Sequence, residues 1–171
     1  MSMPDATRLF DDHHLAVFRF LRRMTGSASV AEDLTQEVFL RVVRGIDSYE
    51  ERSRETSWIF RIARNVLADR RRSQARTPVD APVHDAVALA RPAVQALASA
   101  LDQALLRLAD EEREAFLMRE VGGLGYREIA EATGSTPDGA RMRIYRARLA
   151  LREALAPSRA AVTRSPREVS K

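Results

Sequence analysis

The chain has 171 residues, of which 45% are hydrophobic and 30% charged, a balance typical of one or two small folded domains. It contains no cysteine, which excludes disulfides, thiolate metal sites and cysteine nucleophiles. The net charge is +4, and a single lysine leaves nearly every cation an arginine. This bias favours forked hydrogen bonds to phosphate and guanine, although a GC-rich genome would produce the same bias.

Simple counts and motifs argue against several classes of protein. No apolar run approaches the roughly 20 residues that span a membrane, and Asp5 stands where a signal peptide needs basic residues. The three histidines lack metal-ligand spacing, and no phosphate-binding loop, nucleophile elbow or pair of carboxylates is evident. We therefore expect a cytoplasmic protein that is not an enzyme, without membrane insertion, cofactor, metal or small-molecule substrate.

Residues 1–75 predict three amphipathic helices, at about 7–24, 29–45 and 57–73. Gly26 and Gly45 stand where the first two helices are expected to end. The predicted core stripes are Leu9, Phe10, Val17, Phe20, Leu21 and Met24; Leu34, Val38, Val42 and Ile46, with Phe39 and Val43; and Ile59, Ile62, Ala63 and Val66. Three such helices predict a small bundle.

The polar side of the second helix carries Asp33, Gln36, Glu37 and Arg41. This side is consistent with an ordinary solvated helix face. It is also consistent with an acidic docking surface for a basic helical partner. Composition alone does not separate the two interpretations.

The third helix has a basic side, on which Arg61, Arg64, Asn65 and Arg72 recur at helical spacing. Trp58 on the same helix is most simply a core aromatic. Basic side chains beside aromatics are nevertheless typical of proteins that bind single-stranded or opened DNA, and an asparagine amide can hydrogen-bond a base edge.

Residues 76–100 contain three prolines and many small residues, which predicts an interdomain linker with helicity resuming near Val94. A second domain is expected over 101–156, where Asp110 is the predicted cap of a helix that ends at Gly122. The tail at 157–171 is basic and lacks apolar periodicity, so we expect it to be disordered.

Residues 126–148 predict a helix-turn-helix. Gly134 can adopt the left-handed backbone that ends the first helix, Thr136 can cap the second, and Pro137 suits its first position. The packing face of the second helix is Ala140, Ile144 and Ala147. The opposite side carries Arg141, Met142, Tyr145, Arg146 and Arg148. Such a helix suits a DNA major groove, and we favour this interpretation over a solvated arginine face.

Three segments, 31–49, 57–72 and 108–153, together resemble the extracytoplasmic-function (ECF, group IV) sigma factors of bacterial RNA polymerase, in the family's order. The resemblance covers most of residues 7–155. It implies an all-α fold, in which a sigma region 2 bundle at 1–75 and a sigma region 4 helix-turn-helix domain at 101–156 are joined by a flexible linker.

The resemblance also implies partners and site residues. Core RNA polymerase would be bound through the clamp helices of its largest subunit and through its flap, and promoter DNA through two elements. The clamp-binding residues would be Glu32, Asp33, Gln36, Glu37 and Arg41. The minus-ten element would be recognised and opened by the third helix and the loop at 46–56, with Trp58, Arg61, Arg64, Asn65 and Arg72.

The minus-thirty-five element would be read by Arg141, Met142, Arg143, Tyr145 and Arg146, with phosphate contacts from Arg119, Tyr126 and Arg127. Family members are commonly inhibited by an anti-sigma factor. The sequence leaves three modes of control open for this chain: an anti-sigma factor, modification or expression.

Two other functions are compatible with a helix-turn-helix. A one-component transcription regulator would bind duplex DNA without polymerase, although it has no use for the basic third helix. A decoy that titrates a sigma regulator would keep the acidic docking side but would not need the arginines at Arg61 and Arg64.

Overall fold

The computed structural model describes residues 5–49, 55–76 and 92–156 of the chain. Within these ranges every regular element is helical, which confirms the predicted all-α fold. The elements are α1 (Ala6–Thr25), α2 (Ala28–Gly45), a 3-10 turn (Ile46–Ser48), α3 (Glu55–Arg76), α4 (Pro92–Arg107), α5 (Asp110–Glu120), α6 (Tyr126–Thr133) and α7 (Pro137–Leu155).

The first three helices form the expected bundle, and their ends follow from local chemistry. The Asp5 side chain accepts a hydrogen bond from the Thr7 amide at the start of α1, and Gly26 ends that helix with a φ of 75°. Ser27 caps α2 through the Val30 amide. The buried side chains of the bundle include Leu9, Val17, Phe20, Leu21, Leu34, Val38, Ile59, Phe60, Ala63 and Val66.

Two residues of the predicted stripes are exposed instead. Phe10 is 44% exposed and Val43 is 54% exposed, because each lies beside a fully buried neighbour that occupies the core position, Leu9 or Val42. Phe10 stacks on the His14 ring at 4.7 Å and meets the Phe39 ring edge-on at 4.9 Å. It therefore covers the junction of α1 and α2 at the surface.

The helix-turn-helix has the predicted geometry. Gly134 ends α6 with a φ of 62°, Thr136 accepts a hydrogen bond from the Gly139 amide, and Pro137 is the first residue of α7. The α7 residues Ala140, Ile144 and Ala147 are fully buried or nearly so. The predicted cap at Asp110 is wrong. Ala109 precedes α5 without a side-chain cap, since the Asp110 carboxylate is in the first helical turn and binds the Arg113 guanidinium.

The first half of the described chain, α1–α3, lies against the second half, α4–α7. Phe60 of α3 approaches the turn after α5, where a Cβ on Gly122 would lie 3.0 Å from the Phe60 ring. The Ser57 hydroxyl donates to the Glu128 carboxylate at 2.6 Å. Asp102 of α4 pairs with Arg22 at 3.5 Å and with Arg23 at 3.7 Å. The buried residues of both halves thus form one continuous core.

Helix α4 begins at Pro92, inside the range assigned to the linker, and α3 continues to Arg76. The remainder of the predicted linker, the tail at 157–171 and residues 50–54 of the loop expected to help recognise the minus-ten element lie outside the described residues.

Candidate functional site

The exposed side of α2 presents Glu32, Asp33 and Gln36 to solvent, with Glu37 half-buried beside them. Arg41 differs from the others. Its guanidinium pairs with Glu37 at 2.8 Å and with Asp69 of α3 at 2.8 Å. The hydrogen bond from Arg41 is the main cause of a lowered pKa at the Asp69 carboxyl. Arg41 therefore links two helices of the bundle as well as bordering the acidic surface.

The same surface contains an apolar side chain, Leu40, that was not predicted from the sequence as part of it. Leu40 is 52% exposed, and it follows Gln36 by four residues and Glu37 by three, so it shares their side of α2. The helical spacing was visible in the sequence. Its exposure was not, because only packing shows which apolar positions of α2 face the bundle.

The α3 surface brings together Arg61, Asn65 and Arg72, all exposed and spaced by four and seven residues. Arg61 forms no ion pair with any residue of the described ranges, whereas Arg72 is bound by Asp69. Trp58 lies at the N-terminal end of this surface, where its ring is 4.9 Å from the Tyr49 ring and tilted relative to it. Within the described ranges, a cation without an ion pair, an amide and the Trp58 ring thus lie along one end of the bundle.

Arg64 does not join that surface. Its Nε lies 3.2 Å and 3.3 Å from the two carboxylate oxygens of Glu114 on α5. Burial raises the pKa of the Glu114 carboxyl, and the nearby guanidiniums of Arg64, Arg71 and Arg143 offset only part of that effect. Arg64, one of the predicted minus-ten residues, is therefore engaged in the contact between the two halves of the chain.

The outer side of α7 carries Arg141, Met142, Tyr145 and Arg146, all exposed. Tyr145 is 61% exposed and Met142 is 49% exposed, so both side chains are accessible to a partner. Arg143 is directed away from them, since its guanidinium pairs with Glu111 of α5 at 2.9 Å. Four of the five predicted reading residues thus form one surface.

The three predicted phosphate-binding residues have different environments. Arg127 is exposed and forms no ion pair within the described ranges. Arg119 donates to the Leu124 carbonyl at 2.9 Å, and its Cζ lies 5.1 Å from the centroid of the Tyr126 ring. The Arg141 Cζ lies 5.2 Å from the same centroid. Tyr126 therefore connects α5 with the outer side of α7.

Among the described residues, no cluster of three or more histidine and acidic side chains is arranged to bind a metal ion. None of the helices in those ranges combines the length and the hydropathy of a membrane span.

Comparisons with known proteins match both halves. The description "Sigma-70 region 2" applies to residues 9–77 and "Sigma-70, region 4" to residues 98–151. The chain is 35% identical to RNA polymerase sigma factor CarQ of Myxococcus xanthus, over 86% of this chain and 87% of that protein. It belongs to the ECF sigma factors. These are alternative sigma factors, which direct transcription initiation and are not enzymes.

Another relative is the ECF RNA polymerase sigma factor SigE of Mycolicibacterium smegmatis, with 34% identity over 91% of this sigma factor but 63% of the relative. The fold is similar to that of the sigma factor RpoE of Bartonella quintana, solved in complex with the anti-sigma factor NepR. The TM-score is 0.76 at 23% identity, and the match covers 90% of this chain and 98% of RpoE. CnrH in complex with the cytosolic domain of CnrY gives a TM-score of 0.67 at 21% identity, covering 88% and 86%. A one-component regulator is not favoured, because the region 2 match accounts for the first half.

Proposed function

We propose that this ECF sigma factor, a member of group IV, binds bacterial core RNA polymerase in the cytoplasm and directs promoter recognition and DNA melting. The observation that carries this proposal is the distribution of exposed charge. An acidic surface lies on α2, and basic surfaces lie on α3 and α7, so polymerase and two DNA elements can be contacted by different helices. This role requires no catalytic residue, cofactor or small-molecule substrate of the sigma factor's own.

Polymerase binding is assigned to α2. Glu32, Asp33 and Glu37 form an acidic rim, with Gln36 and the apolar Leu40 beside them on the same side of α2. That composition suits a basic helical partner such as the clamp helices of the largest polymerase subunit. Arg41 completes the surface while bound to α3. The second domain, at 101–156, would bind the flap.

We expect the double substitution Asp33→Asn/Glu37→Gln to weaken binding to core polymerase by roughly five- to thirtyfold, since two partly exposed charges are lost from the rim. Arg41 keeps its bond to Asp69, so the bundle should stay folded. Competition between the labelled wild type and the variant for core polymerase measures the effect. The matched control is Asp11→Asn/Asp12→Asn, which removes two exposed carboxylates of α1; equal weakening by both pairs would contradict a docking role for α2.

Minus-ten recognition is assigned to α3 within region 2, residues 1–75. Arg61, Asn65 and Arg72 supply phosphate and base contacts, and Trp58 lies where an unstacked base could be received. Arg64 would join them only after its pair with Glu114 separates.

Minus-thirty-five recognition is assigned to α7. Arg141, Met142, Tyr145 and Arg146 lie on the side of the helix that faces solvent, as base contacts in a major groove require. A phosphate contact is assigned to Arg127, which is exposed, and Arg143 would add a contact if it left Glu111. Tethering both domains to one polymerase through residues 76–100 raises their effective concentration at the promoter.

Two solved structures with this fold support regulation by an anti-sigma factor. RpoE was solved in complex with the anti-sigma factor NepR, and CnrH in complex with the cytosolic domain of CnrY. Such a partner would cover surfaces that polymerase or DNA uses.

Run-off transcription with bacterial core polymerase, the purified chain and the promoter region of its own gene tests the proposed function. Specific transcripts that depend on the chain are expected. Tight binding of the isolated chain to duplex DNA without initiation would overturn the proposal in favour of the one-component regulator.

A further inference from the structure

The ring of Tyr126 is shared by two arginines that come from different helices. The Cζ of Arg119 on α5 lies 5.1 Å from the ring centroid, and the Cζ of Arg141 on α7 lies 5.2 Å from it. A guanidinium this close to an aromatic face is attracted by the negative potential of the ring. Tyr126 therefore interacts with a predicted DNA-reading residue from outside the reading helix.

The ring is held in a fixed place. Tyr126 is the first residue of α6, and the amide before it, that of Gly125, donates to the Glu128 carboxylate at 2.6 Å. The Glu128 carboxylate also accepts a hydrogen bond from Ser57. The Tyr126 side chain is half-buried against the core. The backbone that carries the ring is therefore fixed, and packing against the core restrains the ring itself.

Arg119 is already engaged within the protein. Its guanidinium donates to the Leu124 carbonyl at 2.9 Å while it lies over the Tyr126 ring. The Leu124 carbonyl uses one of the five N–H donors of Arg119, which holds the guanidinium beside the ring. Its environment is that of a support for the ring, in contrast to Arg127, which is exposed and unpaired within the described ranges.

Arg141 is otherwise weakly held. Its side chain is 65% exposed, and its acidic partner, Asp138, lies 3.8 Å away and is itself 92% exposed. A pair this open does little to fix a side chain. The Tyr126 ring therefore restrains the direction of the forked Arg141 guanidinium more than Asp138 does. Restraint before binding reduces the entropy that is lost when the fork meets a base edge.

We infer that Tyr126 is a positioning residue that orients Arg141 for reading a base of the minus-thirty-five element, with Arg119 as the support of the ring. This role rests on the proposed function, since it requires that α7 reads promoter DNA. It differs from the phosphate contact expected for Tyr126 and Arg119, because a positioning residue changes base preference whereas a phosphate contact changes affinity for every sequence alike.

The test uses holoenzyme made from core polymerase and the full-length chain, selected on promoter duplexes randomised across the minus-thirty-five element. The variants are Tyr126→Phe, which keeps the ring, Tyr126→Leu, which removes it, Arg141→Ala, and the double variant Tyr126→Leu/Arg141→Ala. Arg127→Ala is the matched control for loss of a phosphate contact. Base preference at each position and the dependence of binding on salt are both measured.

We expect Tyr126→Phe to keep the wild-type preference and salt dependence. Tyr126→Leu should reduce base discrimination about two- to fivefold, the size of effect that an exposed cation–π contact supports, at the position that Arg141→Ala also affects. The double variant should match Arg141→Ala alone. Arg127→Ala should instead weaken binding to all sequences and reduce the salt slope by about 0.9.

A measurement without DNA checks the contact itself. The Arg141 Nε–H resonance of the free protein should show a ring-current shift in the wild type and in Tyr126→Phe, and lose it in Tyr126→Leu. Absence of that shift in the wild type would overturn the inference.

Two other results would also overturn it. If Tyr126→Phe weakens binding to all sequences alike, the hydroxyl contacts phosphate. If Tyr126→Leu selects the same sequence as the wild type with equal discrimination, the ring does not orient Arg141. Failure of the proposed function looks different, because the wild-type holoenzyme would then select no sequence at all, and the positioning role would fall with it.

Discussion

At the residue scale, the arginines of this sigma factor divide into those that the fold uses and those that it leaves available. Arg64 pairs with Glu114, and Arg143 pairs with Glu111, although both were expected to face DNA. Arg61 is exposed without an ion pair in the described ranges. The difference is not in the residue type or in the helical spacing. It depends on which carboxylate the tertiary fold brings within reach.

We expect Arg61→Ala and Asn65→Ala each to reduce promoter opening about tenfold, which is within the range for loss of one base-edge contact. Binding to core polymerase should stay near the wild-type value, because neither residue lies on α2. Permanganate reactivity of the melted strand reports opening, and competition for core polymerase reports binding. Arg107→Ala, which removes an exposed arginine of α4, is the control; loss of opening and polymerase binding together in the Arg61 and Asn65 variants would contradict the division of roles.

The buried carboxyl of Glu114 should make stability depend on pH. Its pKa is raised by burial above the ordinary value of 4.5, so the folded protein binds this proton more tightly than the unfolded chain does. The stabilising contribution is fully present below that value and is lost as the pH rises through the folded-state pKa. The free energy of unfolding of the wild type should therefore fall, relative to that of Glu114→Gln, as the pH is raised.

Urea unfolding of both proteins over a series of pH values measures this difference, in which the other titrating groups largely cancel. Parallel curves would show that the pair with Arg64 compensates the burial of Glu114 fully.

At the element scale, the helix-turn-helix was predictable because its signals are local. A left-handed glycine, a threonine cap and a proline at the first helical position all act within a few residues, and the structure has each of them where expected. The start of α5 shows the limit of such signals. Asp110 is a good capping residue by type, but Arg113, three residues on, binds its carboxylate.

We expect Thr136→Ala to lower the free energy of unfolding by about 1 kcal/mol, since the Gly139 amide loses its acceptor at the start of α7. Thr136→Ser keeps the hydroxyl and should cost much less. Urea unfolding of the full-length proteins measures both. Equal losses for the two variants would mean that the threonine methyl group, rather than the cap, stabilises the turn.

At the scale of the whole molecule, the described residues show the two halves in contact through Phe60 and the turn at Gly122, and through ion pairs that include Arg64–Glu114. Two domains around a flexible linker were expected, and no contact between them was foreseen. Under the proposed function, Arg64 can reach promoter DNA only when its pair with Glu114 opens.

We expect Asp102→Lys to loosen the contact between the two halves of the chain, because the new ammonium group would face Arg22 and Arg23 in place of a carboxylate. The native chain has no cysteine, so Ser29→Cys and Arg152→Cys, both at exposed positions, provide sites for a fluorophore pair. Energy transfer should fall in Asp102→Lys and stay unchanged in the control Gln103→Lys. Unchanged transfer in both would show that the apolar contact at Phe60 holds the halves together without the ion pairs.

The sequence by itself determined the all-α fold, the ends of most helices, most of the core positions and the arginine-bearing side of α7. These features follow from periodicity, capping and backbone preference, which act over a few residues. The tertiary structure alone decided which charged side chains are free, because Arg41 meets Asp69 across 28 positions and Arg64 meets Glu114 across 50. It likewise decided that Tyr126 lies beside Arg141. Contacts between distant residues depend on how the helices pack, and no local pattern encodes that arrangement.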